Sequence, residues 1–290
     1  MSWKGNKQGD WRDNGPTGTP AKLAADVLAF LRRAEKMLQD IGPPEADGAD
    51  SSDMSTNTDQ RREIADTIIA QVMGSEIQCA RHVFGSVVLQ SAIKFGSDEQ
   101  RVALAKALFN GTNIVSLLTD KYGSHVAEAT LASATATGAA ADMDSEDSAP
   151  TLFTLLPTII DQLLLQEGKP LVEVLRDRYG THVLRALFRV LSGRPAHPPK
   201  PAARGAADGG WGGDTADPAN ELRSDVPGAF EAALARVAEA LGGGIGGGLE
   251  RLSTNPTASA TLQALLLAQP SAGPAARAFS CSAPPQRSYA

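Results

Sequence analysis

The stretch Tyr179-Gly180-Thr181-His182-Val183-Leu184-Arg185 has relatives elsewhere in this chain, and that repetition decides the fold. Two earlier copies are Phe84-Gly85-Ser86-Val87-Val88-Leu89-Gln90 and Tyr122-Gly123-Ser124-His125-Val126-Ala127-Glu128. A weaker fourth copy, Thr257-Ala258-Ser259-Ala260-Thr261-Leu262-Gln263, lacks the aromatic residue and the glycine. Each copy contains a small hydroxyl residue, a variable residue, two mostly apolar residues and a polar residue. We call this seven-residue pattern the motif, and we number its last five residues from one to five, starting at the hydroxyl residue.

The distances between the copies predict a stack of repeats. Ser86 and Ser124 are 38 residues apart, whereas the next two intervals are 57 and 78 residues. Low-complexity stretches near 131–150 and 194–228 interrupt the longer intervals. Without them the period is about 37–43 residues, which is typical of helical solenoids. We expect both inserts to leave the stack as surface loops.

The apolar residues around the motif are spaced as in helices. In the third copy they form a wide stripe at Val183, Leu184, Leu187, Phe188 and Leu191. A short apolar segment precedes the motif, as at 114–118 and 171–175. No sustained alternation of apolar and polar residues predicts strands. The sequence therefore predicts an all-α chain of helix–turn–helix units, each burying its apolar face against its neighbours.

The rest of the chain divides by composition. We expect residues 1–20 to be disordered, 21–39 to form an amphipathic leading helix, and 40–59 to be an acidic linker. About four repeats then occupy 60–267, and 268–290 is predicted to be a disordered tail.

The net charge of −6 conceals a mildly basic repeat region. Residues 37–59, 142–147 and 194–228 carry net charges of −6, −4 and −1. Removing these contributions leaves +5 on the remainder of the chain. Such a balance is compatible with a polyanionic partner but does not identify one.

The polar residues of the motif share one helix face. Ser124 and Glu128 are four residues apart, which places them one turn apart on the same side, and His125 flanks them. A hydroxyl, a flat ring and an acceptor therefore project together. The corresponding residues are Ser86, Val87 and Gln90 in the first copy, Thr181, His182 and Arg185 in the third, and Ser259, Ala260 and Gln263 in the fourth.

This arrangement closely resembles the Pumilio-type (PUF) repeat. The resemblance implies that the first and fifth motif residues bond a base edge, that the second stacks, and that each repeat reads one base of single-stranded RNA. Glu128 matches the N–H donors of guanine, whereas Gln90 and Gln263 suit adenine. Arg185 carries only donors, so phosphate binding, stacking and contact with guanine O6 and N7 all stay open.

Longer phrases at 120–126 and 177–193 look like the nucleolar Pumilio-like proteins of small-subunit ribosome assembly. This resemblance implies a PUF-type solenoid with an armadillo-like superhelix that binds pre-ribosomal RNA as a monomer. It also implies pre-ribosomal proteins as further partners, and residence in the nucleus and nucleolus. Such proteins carry more repeats than the four visible here.

Other interpretations stay open beside this one. The hydroxyl residues after the motif glycine are also typical helix N-caps, and a HEAT or armadillo-type scaffold binding a peptide is the alternative function. The glycines at 242–248 lack the context of a phosphate loop. Cys79 and Cys281 form no metal or disulfide pattern. We expect no enzyme activity, cofactor, metal site or membrane span.

Overall fold

The computed structural model describes residues 23–41, 51–111, 113–138, 151–197, 226–243 and 248–268. Every regular element in these ranges is helical. The helices are α1 (Ala25–Asp40), α2 (Ser51–Val72), α3 (Glu76–Ala80), α4 (Val83–Phe95), α5 (Asp98–Leu108), α6 (Ile114–Leu118), α7 (Gly123–Gly138), α8 (Leu152–Arg176), α9 (Gly180–Leu191), α10 (Gly228–Gly242), α11 (Gly248–Ser253) and α12 (Pro256–Ala268).

The repeating unit has three helices, so the predicted helix–turn–helix unit is incomplete. A long first helix and a short second helix precede each motif helix, as in α5, α6 and α7. In the third unit both preceding helices lie within α8, which breaks at 165–168, where Gln166, Glu167 and Gly168 have positive φ. The short apolar segments at 114–118 and 171–175 are helical, as predicted. The first helices of the second to fourth units were not predicted, because they lie between the recognisable phrases.

The units stack in two layers. The motif helices α4, α7, α9 and α12 contact one another in that order, and the first helices α2, α5, α8 and α10 do the same. Helix α1 packs against α2 and α4. Each unit therefore touches the units next to it in sequence, and the predicted all-α repeat solenoid is confirmed.

The apolar faces of the motif helices form the core. All five residues of the predicted α9 stripe are buried, and Phe188 is fully buried. In α7, Val126, Ala127, Thr130 and Leu131 are buried as well. The buried face of the motif helix therefore holds the stack together.

Several segment boundaries differ from the sequence-based ones. Helix α2 begins at Ser51, inside the predicted acidic linker, because serine and aspartate also suit the first turn of a helix. Helix α7 continues to Gly138, inside the predicted insert at 131–150. Arg194 and Ala196 are buried, although both lie inside the predicted second insert at 194–228. Helix α10 begins at Gly228, the last residue of the predicted second insert, whereas residues 1–20, 42–50, 139–150, 198–225 and 269–290 lie outside the described residues.

The motif glycine permits a close approach between the motif helix and the short helix before it. A Cβ placed on Gly85, Gly123 or Gly180 would lie 2.4–2.6 Å from the carbonyl oxygen six residues earlier. These oxygens belong to Cys79, Leu117 and Val174. Side chains do not tolerate such distances from backbone, so glycine is required in the first three units. The fourth unit has Ala258 at this position and must space its helices differently.

We expect Gly123→Ala to destabilise the protein by about 1–3 kcal/mol, because the new methyl group must push the backbone of α6 away. The measurement is the free energy of unfolding in urea. The control is Gly228→Ala, since a Cβ on Gly228 has no neighbour within 4 Å. Equal losses in both variants would show that the close approach at Gly123 is not what matters.

Candidate nucleic-acid interface

Each motif helix begins at a polar side chain that accepts two backbone N–H groups. Asp120 Oδ1 accepts from Tyr122 and Gly123 at 2.8 and 2.9 Å. Asp177 and Asn255 make the same pair of bonds in the third and fourth units, at 2.7–3.1 Å. In the first unit His82 Nδ1 takes this role at 3.2 and 3.3 Å. These caps satisfy N–H groups that would otherwise be left without partners at the helix start.

The motif hydroxyls are therefore not the N-caps, and that alternative interpretation is wrong. Ser86, Ser124 and Thr181 lie in the first turn and donate to the carbonyl three residues earlier, at 3.0–3.4 Å. These three residues are only 2–3% exposed. They present little surface to a ligand, whereas the half-buried Ser259 presents more.

The sequence carries a signal for these caps that the motif alone does not contain. The capping residue always stands four positions before the hydroxyl, and three of the four are aspartate or asparagine. Asp120 has a second role, because Arg81 Nε donates to its Oδ2 at 3.1 Å. This ion pair joins the first unit to the second, so the carboxylate of Asp120 both caps α7 and links two neighbouring units.

We expect Asp177→Ala to cost about 1 kcal/mol of stability, because both N–H groups lose their acceptor. Asp177→Asn should cost much less, since asparagine caps as well as aspartate and already does so at Asn255. Chemical unfolding of both variants tests this. If the asparagine variant is destabilised as much as the alanine variant, the charge of Asp177 matters and its capping bonds do not.

The second and fifth motif residues contact each other in two units. In α7, His125 Nδ1 lies 3.8 Å from Glu128 Oε2. The side chain of His125 is 58% exposed and that of Glu128 is 18% exposed. In α9, Arg185 Nη2 lies 2.9 Å from His182 Nδ1. Since a guanidinium only donates, Nδ1 of His182 accepts and its ring proton sits on Nε2.

The fifth residue is also anchored to the helix in two units. Gln90 Nε2 donates to the Ser86 carbonyl at 3.1 Å, and Arg185 Nε donates to the Thr181 carbonyl at 3.3 Å. The second residue of the first copy, Val87, is 50% exposed and has no ring. The first unit therefore offers an apolar surface where the second and third units offer histidine rings.

Residues from three motif helices meet at one open pocket of about 430 Å³. Glu128 of α7 lines it together with His182 and Arg185 of α9. Gln263 stands one turn before Leu267, which lines the pocket, so it lies on the same face of α12. The residues of the first copy lie on α4 and do not line this pocket. The full lining is Glu128, His182, Arg185, Ala186, Arg189, Ser192, Arg194, Ala196, His197, Ala264, Leu267 and Ala268.

Four polar residues of this pocket were not predicted from the sequence. Arg194 and His197 lie in the stretch that was predicted to be a loop insert, and Ser192 follows the last residue of α9. Arg189 stands one turn after Arg185, and that spacing could have indicated a basic face.

Three further features of the described residues concern metal binding, membrane insertion and the thiol of Cys79. No group of three or more His, Cys, Asp or Glu in these ranges could hold a metal ion. None of the helices in the described part of the chain has the length and hydropathy needed to cross a membrane. The pKa of the Cys79 thiol is raised above its usual value, because burial outweighs the opposing effect of the hydrogen bond with Ser75. The charge of Glu76 adds to the increase. Cys79 is thus a core residue.

Comparison with known families decides where the chain belongs. The NOP9-like PUF repeat domain matches residues 74–280. This chain belongs to that family. A relative, nucleolar protein 9 of Meyerozyma guilliermondii, is 28% identical over 140 residues, which are 48% of this chain and 20% of the relative. The chain therefore spans about a fifth of the length of that PUF protein.

Solved structures of APUM23 share the fold. The structure described as APUM23-deletion-of-insert-region-GGAAUUGACGG is 17% identical with a TM-score of 0.57, and the match covers 85% of this chain and 37% of that one. The one described as APUM23-GGAGUUGACGG is 17% identical with a TM-score of 0.58, and the match covers 85% of this chain and 40% of that one. At this identity the likeness shows the fold alone, and it agrees with the helical stack described above.

Proposed function

We propose that this chain binds single-stranded RNA along its motif helices. The observation that carries the proposal is the pocket where Glu128 from one unit meets His182 and Arg185 from the next. The fifth motif residue of the second unit and the second and fifth of the third unit thus share one surface, as a strand with one base per unit requires. The APUM23 structures, whose descriptions contain the sequences GGAAUUGACGG and GGAGUUGACGG, support the same partner.

The proposed roles follow from exposure and chemistry. The exposed rings of His125 and His182 stack on bases. Glu128 accepts from the N1–H and N2–H groups of guanine, because a carboxylate is only an acceptor. The hydroxyls of Ser86, Ser124 and Thr181 already donate to backbone carbonyls and are only 2–3% exposed, so the contact proposed for them is acceptance from a base edge through this small surface. The proposed contact set is Ser86, Val87, Gln90, Ser124, His125, Glu128, Thr181, His182, Arg185, Ser259 and Gln263.

The biological setting is part of the proposal. The NOP9-like family match and the relative named nucleolar protein 9 support pre-ribosomal RNA as the target and small-subunit assembly as the process. Nucleolar residence and pre-ribosomal protein partners have the same support. In this proposal the chain acts as a monomer, by binding and not by catalysis, and its mildly basic repeat region assists the approach of RNA.

We expect the double variant His125→Ala/Glu128→Ala to weaken binding of fluorescein-labelled GGAAUUGACGG by roughly tenfold or more, because a stacking ring and a base-edge acceptor are both lost. Fluorescence anisotropy measures the dissociation constant. The control is Glu231→Ala, an exposed carboxylate on α10 in the layer of first helices.

Unchanged affinity of the double variant, with helical content preserved by circular dichroism, would remove the base-reading role. If the wild type binds neither this RNA nor a random-sequence single-stranded pool, RNA binding itself is wrong. The peptide-binding scaffold would then be the better explanation of the fold.

We expect Glu128→Gln to shift the preference of the second unit from guanine to adenine. An amide supplies a donor for adenine N1 and an acceptor for its N6 amino group, as proposed for Gln90 and Gln263. Competition among RNAs that differ at single positions measures this, and one position should change preference. The proposed role of Glu128 is contradicted if the variant loses affinity equally for all competitors.

A further inference from the structure

The pocket beside the third motif has a wall built outside the motif positions. Helix α9 ends in a Schellman turn: Gly193 has φ of 76°, its N–H donates to Val190, and the N–H of Arg194 donates to the carbonyl of Arg189 at 2.9 Å. This turn folds 192–197 back over the end of the helix. Pro195 completes it, since its carbonyl accepts from Arg189 Nε at 3.0 Å.

The turn brings two arginines together. In a Schellman turn, the residue three positions before the C-cap lies beside the residue two positions after it. Apolar side chains usually fill these two positions. Here they are Arg189 and Arg194, and both line the pocket. Arginine at these positions places guanidinium N–H donors, which bind anionic groups, at the wall of the pocket. The arrangement is therefore suited to an anionic group.

The charge of the lining supports the same conclusion. It contains three arginines and a single carboxylate, Glu128, together with His182 and His197. With the histidines neutral, the lining carries +2 in a chain of net charge −6. Guanidinium groups bind phosphate through paired N–H donors.

The other side of the pocket is apolar. This side, formed by α12, consists of Ala264, Leu267 and Ala268, and Leu267 is 53% exposed. The volume of about 430 Å³ lies in the range of sites that enclose small molecules. A nucleotide combines an anionic phosphate with a flat, largely apolar base, so it matches both sides of the pocket.

We propose that this pocket holds one nucleotide of the bound RNA strand, with its phosphate at Arg189, beside the buried Arg194, and its base against Ala264 and Leu267. The inference rests on the proposed function. His182 and Arg185 line the same pocket, so a strand read by the third unit passes its rim. The nucleotide that bridges the third and fourth units is turned inward here.

The test measures binding of fluorescein-labelled GGAAUUGACGG as a function of salt. Arg189→Gln should weaken binding several-fold and reduce the slope of log K against log salt by about 0.7, the value for one phosphate contact on a single strand. The control is Arg236→Gln, an exposed arginine of α10 that pairs with Asp161 on α8, and its slope should equal that of the wild type.

A second variant tests the apolar side without removing charge. Ala264 is partly exposed, so Ala264→Phe fills the pocket from its rim. In the wild type, removal of one base at a time from the RNA should reveal a position where the loss weakens binding roughly five- to a hundredfold. In Ala264→Phe the sensitivity at that position should disappear.

The outcomes separate this proposal from the proposed function. If Arg189→Gln and Ala264→Phe both behave as the wild type while His125→Ala/Glu128→Ala binds weakly, the pocket proposal is overturned and RNA binding stands. If the salt slope falls but base removal gives the same profile in Ala264→Phe, a nucleotide in the pocket is excluded. If the wild type binds no RNA, both proposals fail.

Discussion

The close contact between each motif helix and the backbone of the short helix before it governs the arrangement of the stack. In the first three units a glycine lies where any side chain would overlap a carbonyl oxygen six residues earlier. This contact sets the angle at which Gly123 and Gly180 start their helices. Because the next residue in the chain is the buried hydroxyl and the one after it is exposed, the same contact determines which side chains reach the surface.

Capping adds to this constraint. Asp120 and Asp177 accept the first N–H groups of their helices, which leaves the motif hydroxyls free to turn inward and donate to the preceding turn. The second and fifth motif residues are then held in pairs, as in the His182–Arg185 contact. A surface prepared in this way loses little side-chain freedom when it binds a strand, and preorganisation favours affinity.

The motif helices, two of the short helices and the solenoid could be predicted because apolar periodicity reports which face is buried. The first helices α5 and α10 could not be predicted, because their residues lie in stretches where no phrase repeats. The wall formed by Arg189 and Arg194 depends on a chain reversal at Gly193, and its closeness to α12 arises only from stacking. Alignment of the four copies shows the capping residues four positions before each motif hydroxyl. They were missed because they are polar and take no part in the apolar periodicity.

The two-layer stack also limits how far a local disturbance travels. A motif helix packs between the one before and the one after it, as α7 does between α4 and α9. The free energy of unfolding then depends on each unit and on its contacts with adjoining units, and not on contacts across the whole molecule. Within the described stack, α7 and α9 each have a motif helix on both sides, so their amide protons should exchange with solvent later than those of helices packed on one side only.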